Sequence, residues 1–433
     1  MEPSQLMPKE PLIALFPEAS FGAALNCIGI AQALQALGAK PVFICHAHFQ
    51  GIFAEYGFAE FPIPAQTKLS AAEQQHYWEN FIEKNIPYFD QTPLEQLDSY
   101  VAPAWEAIID TAIEAEKPLQ QLLARLRPDV IVLDNVVMFP AIASAGCPWV
   151  RMVSCAETEL PDPAVPPYLS ACSSADPAAW QIFAARYNLA VAPAHKRFAR
   201  FLESCQQPPC PPGQFLNDSP YLNLLLAPTP VRYARQQPLP AERYLYLEGC
   251  VRQEAPYIVP QFPSQNTAPL IYLSFGSLGA ADVEMMQRLI DTAATLPYRF
   301  LINVGAYRER YATVPDNVYL DSWFPQPAVL RECQLFIHHG GNNSFCEALY
   351  FGLPSVIIPY CWDGHDNARR AEEVAVGRYL PRFADPLGAL PTALAELLAD
   401  QPMQQRLKDF SAVMQSSRGT EMAARAILDL LKN

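Results

Sequence analysis

Residues 323–368 read WFPQPAVLRECQLFIHHGGNNSFCEALYFGLPSVIIPYCWDGHDNA. Within them an apolar run, Leu335-Phe336-Ile337, passes directly into His338-His339-Gly340-Gly341-Asn342-Asn343-Ser344 and then into a helical pattern carrying Glu347, Ala348, Leu349 and Tyr350. This is a strand, a glycine turn and a helix N-terminus. Glycine lets the backbone come close to a ligand. The unpaired N–H groups of a helix's first turn, reinforced by its dipole, suit an anion such as a diphosphate. A glycine pair alone serves any strand-to-helix crossover as well, so the surroundings decide.

Those surroundings, Trp323, Pro325, Gln326, His339, Gly341, Asn343, Ser344, Glu347, Gly352, Pro354, Asp363, Asn367 and Ala368, stand in one order and spacing. The segment resembles the nucleotide-sugar signature of the family 1 (UDP-dependent) glycosyltransferases. The resemblance implies that Trp323 and Gln326 frame a nucleobase and that His339 donates to the diphosphate. It also implies that Asp363 holds sugar hydroxyls. Glu347 lies four residues after Asn343, on the same helix face, where a carboxylate can accept from a ribose diol. The glutamine that usually follows the acid is Gly364 here, which leaves His365 and Asp366 as neighbouring polar candidates. His338 and His339 are adjacent at a strand end and so point to opposite faces, which argues against a shared metal ion. Neither metal nor cofactor is expected.

The chain has 433 residues, 51% hydrophobic and 17% charged, so about two globular domains are expected. A net charge of −14 argues against a nucleic-acid or anionic-membrane surface. The start, MEPSQLMPKEP, lacks a charged region leading into an apolar core, and no stretch of about 18 apolar residues occurs. A soluble, cytoplasmic protein without an integral membrane segment is the expectation. Eleven cysteines at irregular spacing fit free thiols better than a disulfide framework.

From the start, Leu12–Phe16 suits a buried parallel strand, residues 17–22 a loop, and AALNCIGIAQALQALG a helix ending at Gly38. With a strand at Pro41–Cys45 this makes a βαβ unit, whose ligand lies beyond the carboxyl ends of the strands. The same region resembles the Gly-His-x-x-Pro turn that carries the family's general base. Gly22 falls on the glycine, Ala23 on the histidine and Asn26 on the proline, so the usual base is absent. Residues 66–116 hold many aromatics, among them His76, Tyr77, Trp78, Phe81, Tyr88, Phe89, Tyr100 and Trp105. In the family this region varies and takes the acceptor, but aromatics at helical spacing are more often core.

Leu119–Leu126 reads as a helix and Val130–Leu133 as a strand ending at Asp134, an acid at a carboxyl end facing the crevice. In the family the matching aspartate charges the histidine. With Ala23 there, Asp134 is the first candidate base, expected to be ionised at neutral pH, or a helix cap; Glu18 is the second, and Ser20 ranks last because it needs a base itself. Cys147–Val153 reads as a strand, and the prolines of residues 161–212 suggest a lid or acceptor loop without regular structure. Strands at Leu222–Ala227 and Tyr244–Leu247 complete a first domain, 1–250, before a linker, 251–269.

The second domain, 270–415, opens with a strand from Leu270 into a small-residue turn. Ser277 there resembles the family's phosphate-contacting serine. Residues 283–296 read as a helix, and 299–304 and 318–320 as strands; residues 416–433 form a final helix crossing back. The resemblance implies the GT-B arrangement, α/β with two facing Rossmann-like domains. It implies transfer of a hexose, with inversion, from a nucleotide diphosphate sugar, UDP-linked in this reading, to a small aromatic or lipophilic acceptor. The rivals are carbon glycosylation or an acidic acceptor with Asp134 as base, a catalytically silent nucleotide-sugar-binding homologue, and a two-domain epimerase.

Overall fold

A computed structural model describes residues 10–64, 80, 83–263 and 267–432. His76, Tyr77, Trp78 and Phe81 lie outside the described residues.

The apolar runs become two all-parallel sheets. In the first, β1 (Leu12–Pro17), β2 (Lys40–His46), β3 (Ala59–Ile63), β4 (Val130–Asp134), β5 (Trp149–Val153), β6 (Leu222–Leu226) and β7 (Tyr244–Leu247) take the order β3-β2-β1-β4-β5-β6-β7. In the second, β8 (Leu270–Ser274), β9 (Arg299–Asn303), β10 (Val318–Asp321), β11 (Leu335–His338), β12 (Ser355–Ile357) and β13 (Gly377–Tyr379) take the order β10-β9-β8-β11-β12-β13. Central strands such as VIVLD and LIYLS are buried at every position, as helices on both faces of a parallel sheet require.

Strand order reverses between β1 and β4 in one sheet and between β8 and β11 in the other, and such switch points open a crevice at the carboxyl ends of the strands. Pro17 pairs with Asp134 at the first and Ser274 with His338 at the second. The topology therefore brings Glu18 and Asp134, and His339 and Gly276, to crevice positions.

Around the sheets run α1 (Phe21–Ala36), α2 (Ala102–Leu126), α3 (Pro177–Ser204), α4 (Val283–Ala294), α5 (Asn342–Phe351), α6 (Gly364–Glu373), α7 (Pro386–Ala399), α8 (Gln401–Ser417) and α9 (Gly419–Asp429). Two expectations need correction. Residues 161–212 are not all irregular: α3 starts on Pro177, runs 28 residues with Pro193 inside it, and buries Phe183, Val191, Ala194, Phe198 and Leu202. The helix expected from Leu119 begins at Ala102 and carries Pro118 inside it.

The last helix, α9, packs Ala423, Ala424 and Ile427 into the core that holds Ile28, Ala31 and Leu34 of α1. Gly419 makes that possible, since a Cβ there would stand 2.1 Å from the Gly249 carbonyl. A second tie is polar. Asp366 on α6, 3% exposed, accepts hydrogen bonds from Thr158 Oγ1 (2.6 Å) and from the N–H groups of Leu169 (2.7 Å) and Ala171 (2.8 Å). Leu169 and Ala171 hold left-handed φ angles of 66° and 50° to present those amides. All eleven cysteines are free.

Candidate active site between the domains

The decisive segment folds as a strand, a turn and a helix. β11 ends at His338, Gly340 turns with φ 91°, and α5 begins at Asn342 with Gly341 at its cap position. The cap residue, Gly341, has no side chain to cap α5, and the N–H groups of Asn343 and Ser344 have no carbonyl partner inside the helix. That of Asn342 donates to Asp363 Oδ2 at 3.3 Å.

His338 and His339 part company here. His338 stacks on Phe336 at 4.6 Å and its Nδ1 accepts from the Gly340 N–H at 3.1 Å, so it is a core residue fixing the turn. The ring of His339 stacks on Tyr360 at 5.1 Å and lies between two glycines. A Cβ at Gly341 would come within 2.6 Å of His339 Nε2, and one at Gly276 within 3.3 Å of Cε1. Burial lowers the His339 pKa to about 4, with a hydrogen bond from the ring to the Ser274 backbone carbonyl partly offsetting it. The imidazole is therefore neutral near pH 7 and carries a single N–H.

Glu347 is 1% exposed and its carboxylate gathers the neighbouring motif residues. Oε2 accepts from Gln326 Nε2 (2.7 Å), while Oε1 accepts from Asn343 Nδ2 (3.4 Å) and Arg252 Nη1 (3.1 Å). Gln326 Nε2 also reaches Ser344 Oγ at 3.2 Å. Burial raises the Glu347 pKa despite the opposing pull of Arg252. Trp323 stands at the rim, 45% exposed, its indole 5.8 Å from the ring of Phe21 on α1.

Other expected positions divide. Asp363 accepts from the Asn342 N–H and from Asn367 Nδ2 (3.3 Å), and Asn367 Nδ2 also holds the Gly340 carbonyl at 2.8 Å. Asn367 thus supports the turn. Burial, then the nearby Asp366, Glu159 and Glu18, raise Asp363 to about 7. Gly364 has a packing reason: its added Cβ would meet the His339 carbonyl at 2.5 Å, while a Cβ at Gly340 would meet the Gly364 carbonyl at 2.5 Å. No side chain fits between these backbones. His365, 2% exposed, is driven down to about 4 by burial. Asp366 is committed to the other domain's loop and is not free for a sugar. Ser277 falls in the short helix Gly276–Ala280 that follows β8. Gly22 lies in the first turn of α1, exposed, with no atom within 4 Å of an added Cβ.

On the opposite wall, Ala23 is buried below the N-cap Ser20 and offers no proton acceptor. Asp134 is 2% exposed, accepting from Ser154 Oγ at 2.5 Å and from Cys27 Sγ at 3.6 Å. Burial pushes it up to about 8, with Glu18 and Glu159 adding to the rise. The expectation of an ionised Asp134 at pH 7 is therefore corrected, because desolvation outweighs its hydrogen bonds. Glu18 follows β1 and its N–H donates to the Asp134 carbonyl at 2.7 Å. Burial and then Glu159 raise it to about 7, where a general base works best.

Residues 287–427 match the family described as "Erythromycin biosynthesis protein CIII-like, C-terminal domain". The chain is 30% identical over 170 residues to the NDP-glycosyltransferase YjiC of Bacillus subtilis (strain 168), covering 39% of this chain and 43% of that protein. The match thus spans less than half of that curated relative. The fold is that of the glycotransferase of kitacinnamycin (TM-score 0.71, 18% identity, 98% of this chain and 100% of that one). It is equally that of glycosyltransferase VinC, solved in complex with DTDP (TM-score 0.66, 16% identity, 98% and 99%). Over part of its length the chain is similar to a named NDP-glycosyltransferase. Its architecture is GT-B.

Within this glycosyltransferase fold, sequence reasoning missed Arg252, the cation on Glu347. It lies 95 residues away in the stretch read as a linker, and only its position just after β7 hinted at it. Among the described residues no helix is long and apolar enough to cross a membrane.

Proposed function

We propose that this protein transfers a hexose, with inversion, from a uridine or thymidine diphosphate sugar to a small aromatic or lipophilic acceptor. One observation carries the reading: Gln326, Asn343, Ser344 and Glu347 converge at the open N-terminus of α5 beside a neutral His339, at a switch point of the second sheet. The amides of Asn343 and Ser344 and the His339 N–H suit the charge that grows on the diphosphate as its bond to the anomeric carbon breaks. A relative named as an NDP-glycosyltransferase and a neighbour holding DTDP support the donor class.

Glu18 takes the proton from the acceptor hydroxyl in this scheme, since its pKa near 7 suits a base and Asp134 is already protonated and hydrogen-bonded. The freed oxygen attacks the anomeric carbon from the first domain's side, opposite the departing diphosphate. No cofactor is invoked. Ala23 favours a second possibility within the class, an acceptor acidic enough, or a carbon nucleophilic enough, to need little base.

The test is turnover of UDP- and dTDP-hexoses with phenolic acceptors, with product configuration read from the anomeric proton coupling by NMR. A β-linked product from an α-linked donor supports the proposal. A retained configuration rejects inversion, and no turnover with any donor rejects the activity.

A further inference from the structure

Tyr360 is buried where the two domains meet beside His339. Its ring stacks on the His339 imidazole, with centroids 5.1 Å apart and planes at 23°. Phe89, from the first domain and 1% exposed, packs against the same tyrosine ring at 5.1 Å and 46°. Tyr360 is itself fixed at two points. Its hydroxyl donates to the Phe275 carbonyl at 2.9 Å, and its carbonyl accepts from the side-chain amide of Gln96, again from the first domain, at 2.8 Å. Gly279 leaves room for the ring, since a Cβ there would lie 2.9 Å from Tyr360 Cε1.

The imidazole needs such a brace. Gly276 and Gly341 leave space around it but carry no side chain that could hold its plane. Aromatic pairs prefer defined offset geometries, so a tyrosine ring pinned at its hydroxyl sets the plane of the imidazole stacked on it. Phe89 and Gln96 then make the position of Tyr360 depend on the first domain.

We infer that Tyr360 is a positioning residue for the transfer reaction: it holds the His339 ring in the orientation that meets the diphosphate, and through Phe89 and Gln96 it ties that orientation to contact between the domains. This rests on the reading of His339 as the group that assists the departing diphosphate. Bond breaking at the donor is thereby favoured when the first domain, which carries Glu18, is seated against the second.

The experiment is a double-mutant cycle on the full chain, read as kcat and donor KM with UDP- and dTDP-hexoses and the phenolic acceptor turned over fastest. Tyr360→Leu removes the stack and is expected to lower kcat by at least about tenfold while donor KM changes by less than about threefold. Tyr360→Phe keeps the stack and is expected to hold kcat within about threefold of wild type. Phe89→Leu, on the first-domain side, is expected to lower kcat by about threefold or more. In a His339→Ala background, Tyr360→Leu and Phe89→Leu are each expected to change kcat by less than about twofold, because the ring they orient is gone. A merely structural role lowers kcat by the same factor with and without His339, so additive effects overturn the inference, as does a Tyr360→Phe variant as slow as Tyr360→Leu. If Tyr360→Leu does not fold, Phe89→Leu in the two backgrounds decides by the same criterion. If His339→Ala alone leaves kcat unchanged, or no nucleotide sugar is turned over, the underlying reading fails and the inference with it.

Discussion

Asp134→Asn isolates the consequence of burying an acid at the crevice. Asp134 has an ordinary pKa of 3.8, raised to about 8 in the fold, chiefly by burial. Because the folded value is the higher one, the stability this group contributes is full below about pH 4 and is lost as pH rises through 8. Each tenfold change in proton affinity corresponds to about 1.4 kcal/mol, so a rise from 3.8 to about 8 caps the loss at roughly 6 kcal/mol, and several kcal/mol is the order expected. Asparagine keeps the shape and can still accept from Ser154, yet has no charge to bury. Near pH 4 the two proteins should therefore differ little. By pH 8.5 the variant should be the more stable. Asp363, which also titrates near 7, is present in both proteins and largely cancels in the difference, whereas Glu18, coupled to Asp134, adds to it. Urea unfolding midpoints measured at half-unit steps from pH 4 to 9 give the comparison. Parallel pH dependences for wild type and variant would refute the raised pKa.

Glu18→Gln should lower kcat by at least about tenfold with weakly acidic hydroxyl acceptors and remove an acid limb near pH 7 from the rate profile; a profile that keeps this limb excludes Glu18 as base. Gly341→Ala puts a methyl 2.6 Å from His339 Nε2, so the ring must shift. Turnover should fall about 100-fold with only a small change in Tm, and normal kinetics would show that His339 needs no such cradle. Asp366→Ala removes three buried hydrogen bonds between the domains. It should cost about 3 kcal/mol and expose residues 167–174 to protease, and an unaltered digestion pattern would argue against that tie.

The donor side of the crevice was largely legible because its chemistry is local: Leu335 to Glu347 is one strand, one turn and one helix, and their order in sequence is their order in space. The reaction wall was less so. Asp134 was visible as a strand-end acid, but its protonation depends first on burial and then on Ser154, Glu18, Cys27 and Glu159, which surround it only when separate segments pack. Arg252 escaped for the same reason, having no local partner pattern beyond Glu254. Strands β3 and β13 were unread because they are short edge strands, β3 carrying Pro62 where a central strand would need an N–H. The absent side chain at Gly364 read as a gap in sugar recognition, whereas the backbone contact with the Gly340 turn leaves no space for one.

The donor site is tested most directly by a crystal structure of the protein with a nucleoside diphosphate at saturating concentration. The β-phosphate should lie within hydrogen-bond distance, about 3 Å, of the Asn343 and Ser344 amides and of His339, with a ribose hydroxyl on Glu347 and the base against Trp323. A nucleotide bound elsewhere, with Glu347 still closed by Gln326, Asn343 and Arg252, would contradict it.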